Sequence, residues 1–334
     1  MPQTMKNGLF LLDAAAMDLI YGPAEREDIS RLVRVYSPPQ TRQSIAANPA
    51  VLAEAEVIFS GWGMAVMDEA FLAAAPRLEA VFYGAGSIQY CVTDAFWRRK
   101  IAITSAYAAN AVPVAEYTLS QILFGLKCGW HFALSARGQG RLAARKPVPG
   151  AYGSTVGLVS LGMVGRAVAG LLRHFDVKVL AYDPFVPAEQ GRALGVEMVG
   201  LAELFSRSDV VSLHTPWRKE TEGLITGELI ASMKPGATLI NTARGAIIRE
   251  NEMTDVLGKR SDLYAVLDVT HPEPPLPGSP LYTLPNVILT PHIAGSMDNE
   301  CRRMGRYMVE ELQRYLAGER LTWGISKEQA ARLA

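Results

Sequence analysis

Four short segments in the second half of the chain carry more reactive side chains than a scaffold needs, and each follows a predicted strand. They are residues 213–216 (LHTP), 241–245 (NTARG), 267–274 (LDVTHPEP) and 290–295 (TPHIAG). The carboxyl ends of parallel strands meet at one edge of a sheet, where the ligands of such folds bind. We therefore expect these segments to surround one site.

Arg244, Glu273 and His292 have types that suit the reduction of a 2-keto acid. That reaction needs a cation for the substrate carboxylate, a proton donor for the developing alkoxide, and a group that keeps the donor protonated. The planar guanidinium of Arg244 matches a carboxylate. His292 suits the proton donor because a free imidazole ionises near neutral pH, and a carboxylate such as Glu273, if it lies nearby, favours a protonated ring. His214 and His271 are alternative proton donors, and each of these residues could instead be purely structural.

Residues 155–183 predict a strand, a glycine-bearing turn, a helix and a second strand. Gly162 would let the backbone approach a pyrophosphate, Gly165 would let helix and strand pack closely, and the helix N-terminus would bind the phosphates. Ser160 stands where this fingerprint has its first glycine, and a serine is tolerated there if its φ is negative. Asp183, at the tip of the second strand, would bind an adenosine ribose and repel a 2′-phosphate, which favours NAD over NADP. The alternative is an ordinary strand–helix–strand crossover whose glycines serve packing only.

The composition limits the classes of protein to which this chain can belong. With 334 residues, 49% of them hydrophobic, and equal numbers of acidic and basic residues, the sequence predicts two globular domains. No segment is basic enough to indicate nucleic-acid binding or apolar enough to indicate a membrane span. The three cysteines are far apart, which predicts neither disulfides nor a metal site. The N-terminal residues show no signal-peptide core, so we expect a cytoplasmic protein.

Short apolar runs alternate with amphipathic segments along the whole chain, which predicts an α/β fold with two parallel-sheet domains. The predicted strands cover residues 9–12, 32–36, 57–60, 80–83, 101–104, 156–159, 177–181, 197–199, 210–214, 238–241, 263–269 and 287–289. One long helix is predicted over residues 107–134. Its apolar residues occupy more than one face, so we expect it to be buried between the domains or against a second subunit. A closing amphipathic helix is predicted over residues 298–317.

From about residue 45 to residue 318 the chain resembles the D-isomer-specific 2-hydroxyacid dehydrogenases. The order and spacing of several motifs carry this resemblance together. Besides the glycine-bearing turn, they are residues 84–86 (GAG), 109–112 (ANAV) with 114–116 (VAE), 241–245 (NTARG), 267–269 (LDV) with 273–274 (EP), and 291–295 (PHIAG).

The resemblance implies that Arg244, Glu273 and His292 form the catalytic set. It also implies that backbone N–H groups around Ala85 and Gly86 bind the substrate carboxylate together with Arg244. The implied cofactor-binding residues are Gly162, Met163, Val164, Gly165, Asp183, Thr215, Thr242, Ala243 and Asp268. No metal site is implied.

The family fold has two Rossmann-like or flavodoxin-like domains, with the cofactor domain inserted into a discontinuous substrate domain. On this chain the NAD-binding domain would cover residues 106–296, and the substrate domain would cover residues 1–105 and 297–334. Members of the family are commonly dimers, which agrees with the apolar helix over residues 107–134.

The expected function is that of an NAD(H)-dependent D-2-hydroxyacid dehydrogenase that reduces glyoxylate, hydroxypyruvate or a similar small keto acid. The chain departs from the family at residues 87–90 (SIQY), where an Asp-Asn pair is usual, and this changes the predicted pocket wall. The alternative is an NAD-sensing interaction protein of the corepressor type, because corepressors similar to this family bind NAD through the same fold. No nucleic-acid or membrane partner is expected.

Overall fold

The structure is a computed structural model that describes residues 5–331. Residues 1–4 and 332–334, the ends of the predicted substrate domain, lie outside the described part. The chain forms two compact units. One contains the residues up to Asn110 together with those from Ser296 onward, and the other is Ala111–Gly295. We call them unit 1 and unit 2.

In unit 1, the described residues form a parallel sheet with strand order β2-β1-β3-β4-β5. The strands are β1 (Asn7–Leu11), β2 (Arg34–Val35), β3 (Val57–Ser60), β4 (Ala80–Tyr83) and β5 (Ala102–Ser105). The helices between them are α1 (Ala14–Ile20), α2 (Pro23–Leu32), α3 (Arg42–Ala47), α4 (Glu69–Ala74) and α5 (Asp94–Arg98). This is the flavodoxin-like order, in which the chain reverses direction across the sheet between β1 and β3.

Local sequence explains several boundaries of unit 1. Asp68 caps α4 by accepting a hydrogen bond from the Phe71 N–H at 2.9 Å, and Thr93 caps α5 in the same way. The prediction of a strand from residue 32 was wrong at its start, because Leu32 still belongs to α2. Only Arg34 and Val35 pair with β1. A single residue, Val33, separates the end of α2 from the start of this strand.

In unit 2, the described residues form a second parallel sheet, with strand order β12-β11-β10-β9-β6-β7-β8. Its strands are β6 (Thr155–Val159), β7 (Lys178–Tyr182), β8 (Glu197–Met198), β9 (Val210–Leu213), β10 (Thr238–Asn241), β11 (Tyr264–Leu267) and β12 (Val287–Leu289). The helices are α6 (Tyr107–Leu126), which starts in unit 1, α7 (Gly129–Gln139), α8 (Met163–Leu172), α9 (Ala188–Ala193), α10 (Leu201–Arg207), α11 (Gly227–Ala231) and α12 (Glu250–Lys259). The strand order reverses between β6 and β9, as in doubly wound dinucleotide-binding folds. The predicted α/β fold with two parallel-sheet domains is confirmed.

The single helix predicted over residues 107–134 is wrong, because two helices occupy this stretch. α6 ends at Leu126, and Cys128 has a positive φ of 48°, a left-handed conformation that stops the helix. A side chain on Gly129 would lie 2.5 Å from the Phe124 ring, so the chain can fold back onto α6 only because residue 129 is glycine. Apolar periodicity continues across this break, and for that reason the sequence pattern does not reveal it.

The chain ends in unit 1 with α13 (Cys301–Leu316) and α14 (Lys327–Ala330). Glu311 of α13 is fully buried and accepts hydrogen bonds from the backbone N–H groups of Thr322 and Trp323. The next residues pair with β5, since the Ile325 N–H donates to the Ile103 carbonyl at 2.9 Å. These contacts attach residues 322–325 to α13 and β5.

Among the helices of residues 5–331, none combines the length and the apolar character that a bilayer crossing requires.

Candidate active site

Most of the predicted site residues lie at the carboxyl edge of the unit 2 sheet. Thr215 follows β9, Thr242 to Arg244 follow β10, Asp268 follows β11 and His292 follows β12. These strands are parallel and adjacent, so their ends share one edge. The glycine-bearing turn after β6 completes the edge at the point where strand order reverses.

The turn after β6 has the form needed to bind a pyrophosphate. A side chain on Gly165 would lie 2.1 Å from the Ser160 carbonyl oxygen, so α8 packs against the turn only because residue 165 is glycine. A side chain on Gly162 would meet nothing within 4 Å, which leaves room for a ligand above the start of α8. The first N–H groups of that helix, at Met163 and Val164, have no partner within the helix and are available to an anion. These features fit a dinucleotide.

The conformation expected of Ser160 was wrong. Its φ is +79°, in the left-handed region where glycine is the usual residue. Its hydroxyl forms a hydrogen bond with that of Thr215 at 2.9 Å, and its N–H donates to the Tyr182 carbonyl at 2.7 Å. These contacts compensate for part of the strain, and the turn therefore keeps its form without the first glycine.

Asp183 stands at the tip of β7, next to the same turn. Its carboxylate accepts hydrogen bonds from the N–H groups of Leu161 at 2.8 Å and Phe185 at 2.9 Å. Each carboxylate oxygen can accept a further hydrogen bond, because it has two lone pairs. The predicted ribose acceptor is thus held beside the start of α8.

Arg244 lies in a turn that Asn241 organises. The Asn241 side chain donates to the Arg244 carbonyl at 2.9 Å and accepts from the Ala243 N–H at 3.0 Å. The Arg244 guanidinium donates to the Ala243 carbonyl at 2.6 Å. Burial lowers the pKa of Arg244, an effect that Glu273 partly offsets. A guanidinium stays protonated in a protein, so Arg244 presents a poorly solvated cation that attracts an anion strongly.

Glycine at position 245 brings this turn against the loop after β11. A side chain there would lie 2.0 Å from the carbonyl carbon of Thr270 and 2.5 Å from the N–H nitrogen of His271. The backbones of the two loops are therefore in direct contact. This approach places the Arg244 turn beside the loop that leads to Glu273.

His292 and Glu273 form an ion pair or charged hydrogen bond in which Nδ1 lies 2.7 Å from Oε1. An ionised carboxylate can only accept, so Nδ1 carries the proton in this contact. Both side chains are roughly half exposed, at 49% for His292 and 42% for Glu273. The other ring nitrogen, Nε2, is thereby left to exchange a proton with a ligand.

Asp268 holds the loop that carries His292. The carboxylate is 2% exposed and accepts hydrogen bonds from the Thr290 hydroxyl at 2.6 Å and from the Ile293 and Ala294 N–H groups at 2.9 Å each. The Asp268 carbonyl accepts from the His292 N–H at 3.0 Å. His292 itself has a positive φ of 55°, so the loop depends on these external contacts to keep its shape.

The other predicted histidines lie in different surroundings. His214 is buried, and neither ring nitrogen has a hydrogen-bond partner among residues 5–331. Burial lowers the pKa of His214 to about 4, so the ring is neutral near pH 7 and unsuited to donating a proton. The His271 ring packs against the indole of Trp217, with centroids 5.0 Å apart. Neither forms a pair like that of His292 with Glu273.

Ala85 and Gly86 lie in unit 1, directly after β4. The Ser105 hydroxyl donates to the Ala85 carbonyl at 2.8 Å and also to the Gly86 carbonyl, which fixes the direction of this backbone. In the described part of the chain, no hydrogen-bond acceptor faces the N–H groups of these two residues. Such N–H groups suit a carboxylate.

Sequence reasoning missed the residues that support the site. Asn241 shapes the Arg244 turn, Tyr117 forms a hydrogen bond with Thr290 at 3.1 Å, and Thr118 forms one with Thr242 at 2.8 Å. A buried polar residue at a strand end is a signal that could have identified Asn241. The two residues of α6 become visible only once the helix is placed against the sheet.

Comparison with known proteins identifies the family. Residues 131–294 match the family model described as D-isomer specific 2-hydroxyacid dehydrogenase, NAD binding domain. The (S)-sulfolactate dehydrogenase of Chromohalobacter salexigens is 37% identical over 253 residues, which cover 75% of this chain and 81% of that protein. The D-3-phosphoglycerate dehydrogenase of Mycobacterium leprae is 33% identical over 255 residues, which cover 76% of this chain and 48% of that protein. The chain thus spans about half the length of the phosphoglycerate dehydrogenases that it matches.

A solved structure agrees with the fold. The D-mandelate dehydrogenase of Rhodotorula graminis superposes with a TM-score of 0.80 at 24% identity, over 97% of this chain and 98% of that chain. This structure shows the fold alone, whereas the family model and the sulfolactate dehydrogenase identify the family. The chain belongs to the D-isomer-specific 2-hydroxyacid dehydrogenase family.

Proposed function

We propose that this chain is an NAD-dependent oxidoreductase that interconverts a 2-keto acid and the corresponding D-2-hydroxy acid. The observation that carries the proposal is the pair formed by His292 and Glu273, with Nδ1 and Oε1 2.7 Å apart, at the sheet edge that also holds Arg244. This edge supplies a proton donor, a carboxylate partner and a cation, which are the groups that the reaction requires.

In the proposed mechanism His292 moves the proton. The Glu273 carboxylate accepts a hydrogen bond from the Nδ1–H group, so it orients the ring and faces the positive charge of the imidazolium. Nε2 of the imidazolium then gives its proton to the oxygen of the keto group as negative charge develops there. In the direction of oxidation, Nε2 of the neutral ring takes the hydroxyl proton. Bound NADH supplies the hydride for the keto carbon in reduction.

Arg244 and the backbone after β4 bind the substrate in this proposal. The guanidinium of Arg244 attracts the carboxylate and the keto oxygen, and its partial burial strengthens that attraction. The N–H groups of Ala85 and Gly86 donate to the carboxylate. Asn241 and Asp268 keep the two catalytic loops in shape and thereby hold Arg244 and His292 in position.

The cofactor preference is also part of the proposal. Asp183 carries negative charge at the tip of β7, next to the start of α8, and would repel a 2′-phosphate. The following residues, 184–187 (PFVP), offer no cation to bind that phosphate. NAD is therefore proposed over NADP, with Gly162 to Gly165 at the pyrophosphate and Thr215, Thr242, Ala243 and Asp268 on the nicotinamide side.

Two further predictions remain part of this proposal. The residues of unit 1 would form the substrate domain and unit 2 the NAD-binding domain. A homodimer in the cytoplasm is proposed on the family resemblance, and the exposed side chains of Phe124 and Leu142 in unit 2 offer apolar surface for it.

The test compares His292→Ala and Glu273→Gln with the unchanged protein. Oxidation of NADH and of NADPH is followed with glyoxylate, hydroxypyruvate, pyruvate and bulkier 2-keto acids. His292→Ala should lower kcat by about 10²–10⁴-fold, the usual contribution of a general acid. Glu273→Gln should lower it less, because the amide still orients the ring but cannot stabilise its charge. The affinity for NADH, measured by fluorescence titration, should change far less than kcat in both variants.

The matched control is His174→Ala, which removes an exposed imidazole of unit 2 that follows α8. It should retain full turnover. Near-normal turnover in His292→Ala would contradict the mechanism. NADH binding without turnover of any acid would instead favour the interaction protein of the corepressor type.

A further inference from the structure

The carboxyl edge of the unit 1 sheet carries a cluster of exposed apolar side chains that the proposed chemistry does not use. Trp62 and Val66 lie in the loop after β3, and Tyr90 lies in the loop after β4. Their exposed fractions are 37%, 49% and 47%, respectively. β1, β3 and β4 are adjacent, and strand order reverses between β1 and β3, where ligands of such sheets bind. We call Trp62, Val66 and Tyr90 the apolar rim.

Tyr90 presents its ring rather than its hydroxyl to solvent. The hydroxyl lies 3.1 Å from that of Tyr83 and donates to the Gly61 carbonyl at 3.3 Å. The N–H of Met64 also forms a hydrogen bond with it. The polar tip of the side chain is therefore occupied by protein groups, and the exposed half of the residue is aromatic carbon.

The loop after β3 is tied to the end of β1 in the same way. The Asp13 N–H donates to the Trp62 carbonyl at 2.8 Å. A side chain on Gly63, whose φ is +87°, would lie 2.0 Å from the Asp13 carboxyl carbon, so the carboxylate lies directly over the backbone of Gly63. These contacts hold a negative charge beside the aromatic residues.

The same loops contain no basic residue. Residues 9–25, 61–76 and 84–97 include neither Lys nor Arg, whereas they include the acid Asp13. Two other acids of these stretches, Glu69 and Asp94, are paired with Arg98 and Lys327, which lie outside them. A phosphate or sulfonate on the third carbon of a substrate needs a cation or several free donors. At this rim it would instead meet a carboxylate and aromatic carbon, and it would lose its hydration without compensation.

We propose that the apolar rim binds the side chain of the keto acid and selects substrates whose third carbon carries an aromatic or branched apolar group. Substrates with an anionic third carbon are excluded. This inference rests on the proposed function, since the predicted carboxylate contacts, Ala85 and Gly86, lie on the same edge of unit 1. It departs from the glyoxylate and hydroxypyruvate prediction, because neither acid has a side chain that would fill such a surface.

The first experiment measures kcat/KM with NADH for phenylpyruvate, pyruvate, glyoxylate, sulfopyruvate and phosphohydroxypyruvate. The kcat/KM for phenylpyruvate should exceed that for each anionic acid by at least about 100-fold. The rim favours binding of the phenyl group and disfavours an unpaired anion, and both effects increase this ratio. Trp62→Ala should lower the ratio of phenylpyruvate to pyruvate by about tenfold, in line with the energy of aromatic contacts. Trp62→Arg should raise the relative rate with sulfopyruvate. Tyr152→Ala, which removes an aromatic ring that is 87% exposed in unit 2, should leave all ratios unchanged.

A higher kcat/KM for either anionic acid than for phenylpyruvate would overturn the inference. So would an unchanged ratio in Trp62→Ala with an intact thermal unfolding transition. Arg42, the first basic residue after β2, provides a further check. If anionic acids are turned over well and Arg42→Ala abolishes this, the edge binds anions and the inference is wrong.

Binding experiments separate this inference from the proposed function. Tryptophan fluorescence with NAD⁺ present would report binding of D-phenyllactate, D-3-phosphoglycerate and D-lactate. If no acid is reduced but phenyllactate binds and phosphoglycerate does not, the proposed reaction fails and the apolar rim stands. If phosphoglycerate binds more tightly than phenyllactate, or if neither binds, the rim does not select as proposed.

Discussion

Replacing Asp268 by Asn should separate the positioning of His292 from the stability of unit 2. The carboxylate is 2% exposed and accepts three hydrogen bonds, two at Oδ1 from the Thr290 hydroxyl and the Ile293 N–H, and one at Oδ2 from the Ala294 N–H. The best orientation of an amide keeps its oxygen at Oδ1 and turns its NH₂ group toward the Ala294 N–H. Two donors then face each other, and one buried N–H loses its acceptor.

The magnitude follows from these contacts. An orphaned buried N–H costs about 1–3 kcal/mol, and each remaining bond weakens when its acceptor loses its charge, which gives a total of about 2–4 kcal/mol. The loop residues that lose support, Ile293 and Ala294, directly follow His292, whose φ of +55° requires external contacts. A displacement of about 1 Å at a catalytic group lowers turnover by about 10²-fold.

The assay combines urea unfolding with steady-state kinetics and NADH titration. We expect Asp268→Asn to lose about 2–4 kcal/mol of unfolding free energy and about 10²-fold in kcat, with a much smaller change in NADH affinity. The matched control is Asp209→Asn. Asp209 accepts from the Thr155 N–H at 2.8 Å and pairs with Lys234 at 3.1 Å, at the amino-terminal ends of β6 and β9. This control should be destabilised but fully active.

Two results would refute this reasoning. If Asp209→Asn loses as much activity as Asp268→Asn, the effect is one of general stability. If Asp268→Asn loses NADH affinity while kcat is retained, Asp268 acts through cofactor binding and does not position the loop.

The remaining predictions concern stability. Ser160 has a φ of +79°, which strains any residue except glycine. Both Ser160→Gly and Ser160→Ala lose the hydroxyl, but only glycine relieves the strain, so the glycine variant should be about 1 kcal/mol more stable than the alanine variant in urea unfolding. Equal stability, or a more stable alanine variant, would show that the turn is not strained. Burial lowers the pKa of His214 to about 4, so the unfolded chain binds a proton below about pH 6.5 that the folded chain does not bind. The free energy of unfolding should therefore decrease as pH falls, and His214 should contribute a loss of about 2 kcal/mol between pH 8 and pH 5. In His214→Leu the free energy of unfolding should depend less steeply on pH than in the unchanged protein, whereas the control His174→Leu should keep the original slope. Equal slopes in all three proteins would contradict the assignment of this pH dependence to His214.

Much of the fold was predictable because it depends on local patterns. The limits of β3, β4, β10 and β12 were predicted without error, since short apolar runs between turns and helices indicate buried parallel strands. The break in the helix predicted over residues 107–134 was not predicted. It depends on the left-handed conformation of Cys128 and on the packing of Gly129 against Phe124, and neither changes the apolar periodicity of the sequence. The length of β2 was also missed, because the end of α2 decided it.

For the candidate site, the sequence by itself determined which side chains could do the chemistry. Residue type and position after strands were enough to select Arg244, Glu273 and His292, because parallel strands end at a common edge. Only the tertiary structure decided which histidine has a carboxylate partner, since His214, His271 and His292 follow strands in similar ways and differ only in burial and neighbours. Burial and hydrogen bonding depend on residues far apart in the chain. Asp268 supports the His292 loop across more than twenty residues of sequence, and no local pattern encodes that contact.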